Sequence, residues 1–187
     1  MENSRNCLVL HPQMLEVLFA HKSKVSNVFR DILGIHEINH ISITRINKNN
    51  ELLVLSSTPA LEFNLFNGSL WHYDQSYSPR WFHLKAQAYW QTLYSQTRYD
   101  ELYYLKQIKH GLPLGISLAA QIDDAFVIYS LASQKNCAST RELFATRQED
   151  FYKIGQYCSN MLSSIFNSYD SSASNPLSRQ AHYETSK

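Results

Sequence analysis

Strong charge of either sign is missing from this chain. Its 187 residues carry 17 Lys and Arg against 16 Asp and Glu, a formal net charge of +1. Such a balance gives no field to hold a phosphate backbone or an anionic lipid surface, so direct DNA binding is not expected. Cysteine is scarce and odd in number, at Cys7, Cys137 and Cys158. A secreted disulfide framework uses a denser, even set, and the spacing matches no metal cluster. The three read as reduced thiols of a cytoplasmic protein. Long apolar runs are missing too. The first ten residues hold only Leu8-Val9-Leu10, which is no secretory signal. Nothing approaches the roughly 20 apolar residues that span a bilayer.

Catalytic signatures are equally sparse. Gly115-Ile-Ser117 lacks the partner glycines of a nucleophile elbow, and Gly111-Leu-Pro-Leu-Gly115 lacks the Lys-Ser/Thr ending of a phosphate loop. The carboxylate pairs Asp123/Asp124 and Asp100/Glu101 read as a turn and an exposed helical face. Among eight histidines, His36 and His40 alone have i,i+4 spacing, but they lie where a loop enters a strand. No enzyme, metal or cofactor is expected. Arg80, Lys85, Arg98, Lys106 and Lys109 stand among aromatics. Without a basic excess they read as a solvated helix face rather than a single-strand platform.

What the chain does have is aromatic residues in one place. Thirteen of its 24 lie between Phe63 and Tyr104, including all three tryptophans, Trp71, Trp81 and Trp90. Such a run is either core or the wall of a pocket, and Tyr73-Asp74, Tyr77 and Trp81 set polar groups beside apolar faces.

Hydrophobic content of 44% over this length predicts one soluble domain. Residues 13 to 33 carry an amphipathic helical pattern that Gly34 ends. Strands follow at 40–46 and 52–55, joined through the polar Asn47–Asn50 connector. The Gly- and Pro-free stretch from 85 to 110 predicts one long helix or two shorter ones. Strands at 116–122 and 125–132 meet at Asp123-Asp124, and a polar loop covers 133–140. Thr146 to Glu149 matches a capping box before a final helix, whose stripe is Phe151, Ile154, Cys158, Met161/Leu162 and Ile165/Phe166. The domain expectation is an N-terminal extension over 1–12, a sensor domain over 13–167, and a Ser-rich tail or linker over 168–187. Helix, two strands, aromatic insert, two strands and helix make an α+β class with a central antiparallel sheet.

This layout resembles the N-terminal ligand-sensing domain of LuxR-type transcriptional regulators, a GAF/PAS-like α-β-α sandwich. Tyr73-x-x-x-Tyr77-x-x-x-Trp81 is similar to that family's aromatic ladder. The segments His110–Leu118 and Phe126–Ser133 resemble its third and fourth strands. The resemblance implies a small-molecule ligand, with Tyr73, Tyr77, Trp81 and Trp90 as walls and Asp74 and Ser130 as polar contacts. It also implies a homodimer, or a heterodimer with a related regulator. The family's acyl-homoserine-lactone binders use an Asp-Pro downstream of the Trp to hold the ligand amide. This chain has no Asp-Pro, so another ligand is expected. The competing reading is a ligand-free interaction or dimerisation module that modulates a partner regulator.

Overall fold

Alternation along His40–Ile46 (β2) sets His40, Ser42, Thr44 and Ile46 on one side and Ile41, Ile43 and Arg45 on the other. Both sides are covered, because helices lie on each face of the sheet that β2 centres. The computed structural model describes residues 7–172. Besides β2, their strands are β1 (Val9–Leu10), β3 (Glu51–Ser56), β4 (Gln87–Tyr89), β5 (Leu114–Ile122) and β6 (Ala125–Ser133). Their helices are α1 (Met14–Ala20), α2 (Lys22–Arg30), α3 (Pro59–Phe66), α4 (Pro79–Phe82), α5 (Trp90–Leu93), α6 (Tyr99–Tyr103), α7 (Ala138–Thr146) and α8 (Gln148–Ser172).

The sheet order is β1-β3-β2-β6-β5-β4. Five strands pair antiparallel, as expected, and β1 adds a short parallel pairing to β3. The class is α+β. The Asn47 side chain builds the first hairpin turn by accepting from the amides of Asn49 and Glu51. Asp123 makes the second, at φ 53°.

On one face lies α8. Its Phe151, Cys158, Leu162 and Phe166 are buried, and Gly155 lets the helix approach Tyr129: a Cβ there would stand 2.3 Å from the ring. On the other face lies the segment between β3 and β5, which carries α3 to α6 and the aromatic insert.

Several local expectations are corrected. The helix read over 13–33 breaks at His21, which leaves helical geometry while its ring reaches the Tyr169 hydroxyl at 2.9 Å. The helical run expected over 85–110 instead holds β4, α5, a 3-10 turn, α6 and a π-helical stretch, Tyr104–Lys109. Pairing of Gln87–Tyr89 with β5 overrides helix propensity there. Within the loop expected over 133–140, α7 starts at Ala138. The capping box does not form, because the Thr146 hydroxyl donates back to the Glu142 carbonyl at the end of α7. Of the tail expected over 168–187, residues up to Ser172 continue α8, and 173–187 lie outside the described residues. Of the extension expected over 1–12, residues 1–6 also lie outside them, while Val9–Leu10 form β1.

Candidate functional site

The sheet face under the insert is polar where a core would be apolar. Register aligns Ser56, Ser42, Ser130 and Ser117 side by side across β3, β2, β6 and β5, and all four are buried. His40 and Thr44 flank Ser42 along β2, each 1% exposed. A buried polar group needs a partner, so this row demands an explanation.

Part of it comes from α3. Glu62, in the first turn after Pro59, is buried, and its carboxyl accepts from the Ser56 hydroxyl at 3.4 Å. Its Oε1 stands 3.6 Å from His40 Nε2. The other ring nitrogen of His40 bonds to the Thr58 hydroxyl at 3.0 Å. Burial pushes the Glu62 carboxyl up to about 7, against the nearby Lys106 charge. Burial, with help from Lys106, holds His40 down to about 3, so its imidazole is neutral. The Ser42 hydroxyl lies against the Glu62 carboxyl, and the Thr44 hydroxyl against the Tyr77 phenol.

The insert supplies the rest. Trp90 opens α5 and lies flat against β5. Gly115 allows this, since a Cβ there would stand 2.2 Å from the indole. The indole N–H donates to the Ser130 hydroxyl at 3.0 Å. Asp74 caps the 3-10 turn Gln75–Tyr77, its Oδ1 accepting from the Ser76 amide and hydroxyl. Its Oδ2 takes the Lys106 ammonium at 2.5 Å, and both residues are buried. That ammonium also lies 4.6 Å from the Trp90 ring centroid and 5.4 Å from that of Tyr94. Lys106 comes from the π-helical stretch, a rare geometry that often marks functional positions.

A crevice of about 370 Å³ reaches this region from outside, lined in part by Trp71, Tyr73, Asp74, Tyr77 and Ser95. Tyr77 is buried, and burial raises its phenol well above the ordinary range.

Of the expected residues, the structure gathers Asp74, Trp90 and Ser130 around Lys106, with Tyr77 between the crevice and Thr44. Tyr73 lies half-buried at the crevice, under the Arg98 guanidinium. Trp81 is half-buried on α4 and makes none of these contacts. The Tyr73–Tyr77–Trp81 ladder is no continuous helix face, because Asp74 and Ser78 take extended geometry and split the run. Lys106, read as part of a solvated helix face, is a correction: it is 3% exposed. Its aromatic surroundings and Asp74 draw it inward. Sequence reasoning missed Glu62 and gave His40 no role in a site. The available signal was His40-x-Ser42-x-Thr44, a polar period-2 pattern on a strand with no exposed face.

No family model matches the chain, and no curated protein sequence does. Solved structures do match. The VqsR ligand-binding domain of Pseudomonas aeruginosa is 14% identical, with a TM-score of 0.52 over 78% of this chain and 96% of that one. SdiA in complex with octanoyl-rac-glycerol is 11% identical, with a TM-score of 0.52 over 81% of this chain and 62% of SdiA. Both are LuxR-type ligand-binding proteins. Sheet, insert and long closing helix together give this chain the fold of the ligand-binding domains of LuxR-type regulators.

Proposed function

We propose that the chain is a cytoplasmic small-molecule-sensing regulatory domain, a regulator rather than an enzyme. The observation that carries this is the row of buried serines and its neighbours, roofed by Trp90, beside a crevice lined by Asp74 and Tyr77. Polar fixers among apolar walls suit an amphiphilic ligand. The proposed contacts are Asp74, Tyr77, Trp90 and Ser130, with Tyr73 and Trp81 as outer walls. The ligand is not a standard acyl-homoserine lactone. In support, the Asp-Pro of those binders is missing, and the oxygens of Asp74 already accept from Ser76 and from Lys106. Dimerisation, with itself or a related regulator, draws support from exposed Tyr157 and Met161, one turn apart on α8.

The test is mass spectrometry of the purified protein under native and denaturing conditions. A stoichiometric small mass released on denaturation is expected. Its absence from folded protein favours the second reading, a ligand-free interaction module. That reading has its own observation: the Lys106 ammonium already stands between Asp74 and the two aromatic rings.

A further inference from the structure

We infer that the outer edge of β5, past the point where β4 leaves it, is a docking site for an extended, acidic segment of a partner polypeptide, which adds a strand to the sheet. The site is separate from the polar row under the insert and from Tyr157 and Met161 on α8. It stands whether or not the domain takes a small molecule.

The first ground is an open strand edge. β5 runs nine residues and β4 only three, which pair with Ile116 to Leu118. The Ala119 N–H still donates to the Ala86 carbonyl at 3.0 Å. Lys85, at φ 52°, then takes the chain out of that lane. Backbone groups alternate sides along a strand, so those of Gln121 point as those of Ala119 do, away from β6. Ile122 and Ala125, which close the two-residue turn into β6, keep the same phase. The Gln121 N–H and C=O therefore face outward and meet no backbone partner among the described residues. Proteins usually blunt such an edge with charge, proline or a covering element.

The second ground is shape. A groove of about 470 Å³ follows this edge, and its β5 lining is the consecutive run Leu118–Gln121. Consecutive residues show opposite faces of a sheet, so the edge itself is the floor. The first turns of α8 form a wall through Gln148, Glu149 and Tyr152, and Lys85 stands at the end where β4 begins. Ala119 and Ala120 keep the floor low, which leaves room for a guest's side chains. The bare edge takes about three residues, or about 10 Å of strand.

The third ground is direction and charge. β4 is antiparallel to β5, so a guest antiparallel to β5 runs as β4 does, and its C-terminal end meets Lys85. Lys85 makes no ion pair among the described residues. Glu149, on the wall, is held by Lys153 at 2.9 Å. The uncompensated charge at that end is positive, and its complement is an acidic side chain or a terminal carboxylate. Leu118, Ala120 and Tyr152 suit an apolar side chain just before it. Main-chain bonds then supply affinity and alternate side chains supply specificity.

The experiment follows the fluorescence anisotropy of a labelled Thr-Val-Thr-Val-Glu peptide titrated with the full chain. Saturable binding with a Kd below about 1 mM is expected. Lysine in place of the peptide's glutamate should weaken binding by about threefold, the worth of an exposed ion pair, and Lys85→Glu should reverse that order. Gln121→Pro removes the outward N–H and should weaken binding by about tenfold, as should N-methylation of the peptide's valines. Proline is tolerated at sheet edges, so this variant should melt close to wild type. If it does not fold, the methylated peptide and Lys85→Glu carry the test. No binding at about 1 mM overturns the inference. So does a peptide affinity that neither methylation nor Gln121→Pro alters, or a lysine peptide that binds as tightly as the glutamate one. A concentration-dependent dimer that Gln121→Pro dissolves would make the occupant a second copy of this chain, and would overturn the partner assigned here.

Discussion

At the scale of single residues, Lys106 and Asp74 decide the character of the interior. A buried ion pair is weak support for stability in itself, because two desolvation penalties offset its Coulombic attraction. Its consequences appear when one partner goes. Lys106→Met should destabilise the domain by roughly 3–5 kcal/mol, since Asp74 is left as an unpaired buried carboxylate. Asp74→Asn retains an acceptor for Ser76. In the double variant the stranded charge is gone, so its loss should fall well short of the sum of the two single losses. Urea denaturation of the four proteins measures that coupling. Additive losses would mean that the pair is not closed in solution.

At the scale of elements, the outer layer was legible in the sequence and the insert was not. The stripe of Phe151, Cys158 and Leu162 specified α8, and turn residues at Asn47 and Asp123 specified two hairpins. These signals are local, and packing agrees with them. In the insert, propensity and packing disagree: a stretch of good helix formers yields β4 because β5 offers it an edge. The polar side of β2 was legible as a pattern, but solvent and a buried site impose the same alternation. Only the covering insert distinguishes them. Gly115 shows how tightly the two layers are matched. Gly115→Ala places a methyl within the Trp90 indole, and relief requires the ring to leave Ser130. A loss of about 1–3 kcal/mol is expected, with red-shifted tryptophan emission. In a Trp90→Phe background, which keeps less ring over Gly115, the same change should cost less. Equal losses in both backgrounds would place the strain elsewhere.

At the scale of the whole molecule, one sheet separates two unlike compartments. On the α8 side, apolar side chains close against a 25-residue helix, braced at its far end by Tyr169 on His21 and by Asp170 on Arg45 and Asn47. On the insert side, short α, 3-10 and π elements cover a buried polar surface. Local opening is easiest where elements are short and buried apolar contacts few. Hydrogen exchange should therefore divide along the sheet. Amides of α5, α6 and the π-helical stretch should exchange faster than those of β6 and the middle of α8 in unliganded protein. A co-purifying small molecule, added back, should slow the first group and leave the second nearly unchanged. Such a result would mean that ligand binding stabilises the insert by mass action while the α8 face stays rigid. Uniformly slow exchange in both compartments would mean that the insert stays closed over its Lys106–Asp74 pair. The domain would then work without a ligand, as an interaction module.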